Sequence, residues 1–364
     1  MRKLLCVIGS LSGGGAEHQM IELCKLLQLK DYEITIATFI DEIDFYELPP
    51  NVCRIRVCEH KSNWRKVLGL MYLCRTNDAD AIISFSQRTS CFVLASQIFS
   101  SGRKVIASER NLTVGGSSIY EKILFNFLYK RANFIVPNSY AQRDYIISKN
   151  KSLSSKVVTI TNYTDLSLYM PAKSPINKIL HIGIFGRYNE QKNYKRFAEA
   201  LSLLRTKTDI PFIVEWYGDI TFMGKENPDY LEFVRVVSEY KIQDVIKLYD
   251  HVKNVSELIP KYDVMCLPSI YEGFSNSLSE YICCGKPVLA SDVSDNHLMV
   301  EDGVNGFLFN PLSPEDISNS FIKFFELSNE EKAQMGRNSR EKAEVLFNAE
   351  SFAQKYIELI EAPK

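Results

Sequence analysis

Short apolar runs alternate along this chain with longer stretches in which apolar residues recur every three or four positions. "KLLCVIGSL" (3–11) is an apolar run, and "AEHQMIELCKLLQLK" (16–30) after it has helical spacing. "EITIATF" (33–39), "AIISFS" (81–86), "KVIASE" (104–109) and "NFIVPNS" (133–139) continue the series, each followed by a helix-length segment. Apolar runs alternating with helical periods predict βα units and a parallel sheet. The pattern breaks at "NYTDLSLYMPAKSPINK" (162–178), where two prolines and several Ser, Thr and Asn residues indicate a linker. It then restarts with "ILHIGIFGR" (179–187), "PFIVEWYG" (211–218), "VIKLYD" (245–250), "YDVMCLPS" (262–269), "PVLASD" (287–292) and "GFLFN" (306–310). The expectation is an α/β chain of two Rossmann-like parallel-sheet domains, residues 1–165 and 166–348. A cleft between the strand ends of such sheets is where ligands bind.

Composition adds a charge asymmetry. The 364 residues are 46% hydrophobic and 24% charged, with a net charge of -1. Residues 1–170 hold 21 Lys+Arg against 15 Asp+Glu (+6), and the remainder 22 against 29 (-7). Either the first half meets something anionic or the two halves differ by chance. Nine cysteines without a CxxC pair read as buried thiols in a reducing cytosol rather than metal ligands. No window reaches the roughly 18 apolar residues of a membrane span, and the glycine-ended start is not a signal peptide. A cytoplasmic protein, able to touch a membrane surface, is expected. Near-neutral pI and the lack of a recognition motif argue against nucleic acid.

Three stretches can carry chemistry. "SGGGAE" sets Gly13, Gly14 and Gly15 between the first strand and helix, where glycines admit close backbone approach and a helix amino terminus favours an anion. With Gly9, the spacing does not fit the GxGxxG of dinucleotide sites, and a tight turn without ligand is the plainer alternative. In "GIFGRYNEQKNYKRF", Gly186 ends a strand, and Arg187 and Lys192 follow. A bidentate fork and a point charge suit a diphosphate, whereas the helix dipole gives no reason for cations at a helix start. In "YEGFSNSLSEYICCGKPVLASD" (271–292), Ser275 or Asn276 caps a helix ending before Gly285. Glu272 lies before that helix and Glu280 more than one turn inside it, as acceptors for vicinal hydroxyls of a ribose or hexose rather than for a metal.

These stretches together resemble the retaining glycosyltransferases of family GT4, which have the GT-B fold. The resemblance rests on "EGFSNSLSE" followed by "CGKPVLASD", "GGGAE" after strand one and "GRYNEQKN" opening the second domain, with "PNS", "NYTDLSLY", "LPS" and "EDGVNGFLF" in order. It implies that Arg187 and Lys192 neutralise the leaving diphosphate and that Glu272 contacts the transferred sugar. Gly273, Phe274, Ser275, Asn276 and Ser277 would approach sugar and phosphates, and Glu280 would hold the ribose. Lys247 and Leu248 would edge the nucleobase, while Gly14, Gly15 and Gly186 leave the donor room. No divalent metal or other cofactor is implied, the nucleoside diphosphate sugar being a co-substrate. It also implies that "AESFAQKYIELIEA" (349–362) crosses back, so that 349–364 completes the first, acceptor-binding domain, while 166–348 binds the donor.

One departure concerns the acceptor side, where many members carry a histidine. Here "VIASERN" offers Glu109 and Arg110 instead, and otherwise the leaving diphosphate takes the acceptor proton on the same face. His18 is a further candidate. "NDAD" (77–80), which has the form of a metal-binding DxD, sits where a turn or cap is expected. "HKSNWRKVLGLMYLCR" (60–75) and "YEKILFNFLYKRANF" (120–134) read as basic amphipathic helices. They either lie on an anionic membrane or pack their stripes on the sheet. The family context implies a donor that is a UDP-linked hexose or N-acetylhexosamine. It implies as acceptor a glycan on a polyprenyl diphosphate, as in O-antigen, capsule or exopolysaccharide assembly at the inner face of the cytoplasmic membrane. A sugar-nucleotide epimerase and a non-catalytic glycan-binding subunit are the rival readings.

Overall fold

Each apolar run read as a strand forms one in the computed structural model. It describes residues 2–11, 14–39, 47–57, 62–98, 102–110, 122–172, 179–222 and 224–363. Gly13, Lys61, Cys58 and the linker end 173–178 lie outside these. Two units divide the chain, Met1–Tyr163 with Asn348–Lys364, and Thr164–Phe347.

The first unit holds a six-stranded parallel sheet of β1 (Arg2–Ile8), β2 (Tyr32–Thr38), β3 (Cys53–Arg56), β4 (Ala81–Phe85), β5 (Lys104–Glu109) and β6 (Phe134–Pro137), in the order β3-β2-β1-β4-β5-β6. β4 and β5 are buried at every position, as parallel strands covered on both faces must be. β3, with the polar pattern Cys-Arg-Ile-Arg, is an edge strand that the apolar runs did not announce. On one face Leu70 and Leu73 of helix Asn63–Thr76, Leu94 of helix Gln87–Ser96, and Leu124, Phe125 and Tyr129 pack on Val7, Ile82 and Val105. The stretch 120–134 is not a regular amphipathic helix. Its described part makes a wide π turn, Leu124–Leu128, and a 3-10 turn, Tyr129–Arg131.

The closing helix, Ala349–Glu361, buries Phe352, Tyr356, Leu359 and Ile360 in this unit. Phe352 stacks on Tyr163 at 5.5 Å, and Lys104 Nζ donates to the carbonyl of Ile360 at 2.7 Å, serving the helix's carboxyl end. Four such side chains are worth about 1.5–3 kcal/mol each on burial. "NDAD" is a turn: Asn77 Oδ1 accepts from Ala79 N at 2.8 Å, and Asp78 pairs with Lys3 at 2.6 Å.

The second unit repeats the plan with β7 (Leu180–Phe185), β8 (Phe212–Gly218), a short hairpin of β9 (Thr221–Phe222) and β10 (Lys225–Glu226), β11 (Ile246–Asp250), β12 (Val264–Leu267), β13 (Val288–Ser291) and β14 (Gly306–Phe309). The parallel sheet runs β11-β8-β7-β12-β13-β14. Trp216 of β8 is fully buried, edge-on to Phe197 and Phe233 at 5.5 and 5.2 Å. In each sheet the strand order reverses beside the first strand, between β1 and β4 and between β7 and β12. The carboxyl ends of strands at such a switch point open a crevice. Of the described cysteines, Cys53 is exposed and Cys6, Cys24, Cys74, Cys91, Cys266, Cys283 and Cys284 are buried. No described helix is long and apolar enough to cross a membrane.

Candidate active site

At the switch point of the second sheet, the loops leaving β7 and β12 meet. The β7 loop turns at Asn189, whose Oδ1 accepts from Lys192 N at 3.1 Å. Asn193 then takes a left-handed φ of 63° before helix Tyr194–Lys207, a conformation Asn tolerates better than most residues. Gln191 joins this loop to the other: its carbonyl accepts from Ile270 N at 2.8 Å and its Nε2 donates to Tyr271 O at 2.9 Å. Between these ties Lys192 Nζ donates to Glu272 Oε1 at 2.6 Å, with the two side chains 12% and 10% exposed. Ser294 Oγ donates to the Glu272 carbonyl at 2.5 Å.

Helix Asn276–Cys283 begins directly after. Ser275 caps it, its Oγ accepting from Leu278 N at 3.4 Å. Ser277 Oγ donates to Phe185 O at 2.9 Å, and the Tyr281 hydroxyl accepts from Phe185 N at 2.8 Å, fastening the helix to the end of β7. The first N–H groups of a helix lack partners inside it, and Glu272 of the pair lies three residues before the Ser275 cap. Gly273 is half-buried, whereas Phe274 is buried edge-on to Phe347 at 6.3 Å. At the other end Gly285 adopts φ 65°, and Lys286 N donates to Tyr281 O at 3.2 Å, a glycine-ended stop. Glu280 is half-buried. Burial pushes its carboxyl up to about 7, opposed by a hydrogen bond with Tyr169.

Gly186 directly follows β7. A Cβ there would stand 3.2 Å from Lys192 Cε. Arg187 is exposed and forms no ion pair with any described residue. Thus Gly186, Lys192, Glu272 and the residues from Gly273 to Ser277 come together, with Arg187 on the same loop.

Others do not join them. Lys247 and Leu248 sit within β11, in register with Glu215 and Trp216, whereas the carboxyl end of that strand is Asp250 opposite Gly218. Lys247 instead lines a 520 Å³ surface cavity with Ile179, His181 and Phe212, at the strands' amino-terminal ends. A strand rises about 3.3 Å per residue, so Lys247 and Leu248 stand roughly 10 and 7 Å before its carboxyl end at Asp250. Glu109 and Arg110 are interior groups of the first unit. Glu109, 1% exposed, accepts from the Tyr129 hydroxyl, and burial pushes its carboxyl up to about 8, with Tyr129, Ser90 and Arg110 opposing. Arg110 donates to Asn162 Oδ1 at 2.9 Å and to the Tyr356 hydroxyl, and lies over Phe85 at 4.5 Å. Both side chains are buried.

Also in the first unit, Gly14 precedes helix Gly15–Gln28, and a Cβ on it would meet Glu17 Oε2 at 2.5 Å. His18 Nε2 lies 3.8 Å from Glu22 Oε1. Reading the sequence missed Gln191, Tyr169, Ser294 and Tyr281. All but Ser294 stand inside quoted stretches, but a glutamine bridging two loops has no local pattern.

Residues 171–342 match the family model of glycosyl transferases group 1. The chain is 26% identical, over 80% of its length and 81% of the relative's, to a Campylobacter jejuni N-acetylgalactosamine-N,N'-diacetylbacillosaminyl-diphospho-undecaprenol 4-alpha-N-acetylgalactosaminyltransferase. It is 23% identical, over 73% of its length and 70% of the relative's, to N-acetyl-alpha-D-glucosaminyl L-malate synthase of Bacillus anthracis. Among solved structures, Anabaena HepE in complex with UDP and glucose superposes with a TM-score of 0.85, 19% identity and full coverage of both chains. At that identity the likeness concerns the fold, which is GT-B.

Proposed function

We propose, for a chain whose residues 171–342 match the glycosyl transferases group 1, a retaining transfer of a hexose or N-acetylhexosamine. The sugar passes from a nucleoside diphosphate donor, a UDP-sugar in this reading, to a hydroxyl of a glycan carried on a polyprenyl diphosphate. The observation that carries the reading is the Lys192–Glu272 pair at the switch point between β7 and β12, beside the amino terminus of helix Asn276–Cys283. A fixed cation, a helix amino terminus and an exposed arginine on one rim suit an anion that gains charge as it leaves.

In this reading the donor diphosphate lies against Lys192, Arg187 and the first turn of the helix. Glu272 accepts from hydroxyls of the transferred sugar and Glu280 from those of the ribose. The anomeric carbon–phosphate oxygen bond breaks as the acceptor oxygen bonds to the same face of that carbon. The acceptor proton passes to the departing phosphate oxygen, so no separate protein base is required. The positive charge comes from the chain itself, and turnover is expected to survive a chelator.

The lipid-linked acceptor is supported by the activity for which the Campylobacter relative is named, and that relative covers more of the chain. The Bacillus relative's name points instead to a small soluble acceptor, L-malate. Free UDP or GDP released from a panel of sugar nucleotides, with polyprenyl diphosphate glycan, with L-malate and with neither, separates these. Release that requires the lipid-linked glycan supports the reading, and release with L-malate alone replaces the acceptor. A converted sugar nucleotide without acceptor would mark an epimerase. No turnover on any donor, unchanged by Glu272→Ala or Arg187→Ala, overturns catalysis altogether.

A further inference from the structure

Helix Asn329–Leu346 carries two arginines about one turn apart in different surroundings. Arg337 is exposed and bonds to Glu330 and Gln334 of its own helix. Arg340 turns inward, its side chain 19% exposed. Its Nη1 donates to the carbonyl of Tyr169 at 2.9 Å and to that of Cys283 at 2.8 Å, and its Nε to Glu344 Oε1 at 2.8 Å. The carbonyl of Leu166 lies 3.4 Å from Nη1. The rigid fork of a guanidinium lets one side chain serve several acceptors at once. A cation at the last turn of helix Asn276–Cys283 answers that helix's dipole, which accounts for Cys283. It does not account for the bonds to Leu166 and Tyr169, on the segment that opens the second unit.

That segment is built to present one side chain. Asp165 Oδ1 accepts from Ser167 N at 2.8 Å, and the Asp165 carbonyl accepts from Tyr169 N at 3.1 Å, so the chain makes a single helical turn. Tyr169 at its end is 7% exposed, and its hydroxyl hydrogen-bonds Glu280. Two residues on, the packing leaves no room for a side chain. A Cβ on Gly285 would stand 3.3 Å from Pro171 Cβ and 3.3 Å from the Gly336 carbonyl oxygen. A Cβ on Gly336 would meet the Gly285 carbonyl oxygen at 2.5 Å. The opening segment, the end of the Glu280 helix and helix Asn329–Leu346 therefore meet closely, and Arg340 bonds across all three.

We propose that Arg340 and Tyr169 are positioning residues for Glu280. The guanidinium fixes the Tyr169 backbone, and the Tyr169 hydroxyl donates to the Glu280 carboxylate and holds it in one rotamer. The remaining lone pairs of that carboxylate accept from the two ribose hydroxyls of the donor nucleotide. Binding then avoids the loss of side-chain freedom that ordering a loose carboxylate would bring. The proposal rests on the reading above in which Glu280 holds the ribose. Neither Arg340 nor Tyr169 needs to touch the nucleotide.

The test is calorimetric binding of UDP and of its 2′,3′-dideoxy analogue to the full chain, with GDP and its analogue used instead if GDP is the nucleotide bound. Damage to the fold weakens both ligands alike, whereas a misplaced ribose clamp weakens only the one with hydroxyls. Wild type should prefer UDP by about tenfold or more, the worth of a hydrogen bond to a charged group. Glu280→Gln should remove most of that preference, and Tyr169→Phe and Arg340→Gln should each reduce it about threefold or more. Arg340→Lys, keeping the charge without the fork, should fall between wild type and Arg340→Gln. Arg340→Gln/Tyr169→Phe should lose no more than the more affected single variant, since both act along one path. Circular dichroism checks folding; should Arg340→Gln not fold, Arg340→Lys and Tyr169→Phe carry the test. A preference lost in Glu280→Gln but intact in the Arg340 and Tyr169 variants overturns the proposal and leaves the ribose reading standing. A preference unmoved by Glu280→Gln, or absent in wild type, defeats that reading and the proposal with it, as does binding of neither nucleotide.

Discussion

Lys192 Nζ stands 2.6 Å from Glu272 Oε1, although 80 residues separate them in the chain. Each sits on the loop leaving one of two adjacent parallel strands, and each is nearly withdrawn from water. Breaking such a pair leaves one charge uncompensated, at up to about 3–5 kcal/mol for a fully buried pair. Lys192→Met and Glu272→Gln alone should therefore each lower the urea midpoint, and the double variant should recover it. Activity should behave otherwise. Each single variant is expected to lose roughly 10²–10³ in kcat, and the double variant to recover none of it. Recovery of both in the double variant would make the pair a structural fastener only.

Gly186 and Gly218 make a contrasting pair. A methyl on Gly186 meets Lys192 Cε at 3.2 Å and Cδ at 3.5 Å, both on a flexible side chain. A methyl on Gly218 meets the carbonyl oxygen of Gly186 at 2.6 Å and the Tyr188 ring at 3.1 Å, which yield less readily. Gly186→Ala should keep the melting temperature within a few degrees while kcat drops about tenfold, since small misplacements of a catalytic group are costly. Gly218→Ala should instead destabilise by about 1–3 kcal/mol. Thermal melts beside UDP-release rates on the same preparations separate the two effects. Equal loss of stability in both would show that the lysine stem cannot give way.

The Glu280 carboxyl, pushed up to about 7 by burial, makes donor binding pH-dependent if it accepts ribose hydroxyls in its ionised form. Donor KM should fall as pH rises through about 7 and level off above it. Glu280→Gln should flatten the profile, and Tyr169→Phe should move its midpoint upward, since that hydrogen bond opposes the shift. Stability runs the other way. The folded carboxyl holds its proton to higher pH than the unfolded one, so this residue's contribution to stability is lost as pH rises from about 4.5 toward 7. A KM profile indifferent to Glu280→Gln would remove the residue from the donor site.

The strands were legible because a parallel strand covered on both faces must be apolar at nearly every position, as β4 and β5 are. β3 escaped because an edge strand can carry arginines. At the site, the chemistry of Lys192 and Glu272 could be read locally, but their contact depends on β7 lying beside β12, which no local pattern encodes. The burial of Glu109 and Arg110 was hidden for the same reason. A polar run after a strand reads as a loop facing solvent, yet partners 20 and 246 residues away, Tyr129 and Tyr356, enclose Glu109 and Arg110. Lys247 and Leu248 fall within β11 rather than at its carboxyl end, since a motif fixes the strand but not how far along it that end lies.

Glu109 offers the sharpest test of that reassignment. Burial raises its carboxyl to about 8, against the pull of Tyr129, Ser90 and Arg110, so it is mostly neutral at pH 7. Folding therefore takes up a proton between about 4.5 and 8. Its contribution to stability is complete below that window and is lost as pH rises through it, by at most about 1.4 kcal/mol per pH unit. Glu109→Gln keeps an oxygen to accept from the Tyr129 hydroxyl and has no proton to lose. Its stability relative to wild type should be unchanged near pH 4 and should increase steadily toward pH 8, as urea midpoints across that range would record. UDP release by the folded variant should equal wild type at every pH, because the carboxyl lies inside the first unit with no acceptor to serve. A folded Glu109→Gln enzyme that had lost turnover while keeping donor affinity would return this residue to the acceptor chemistry.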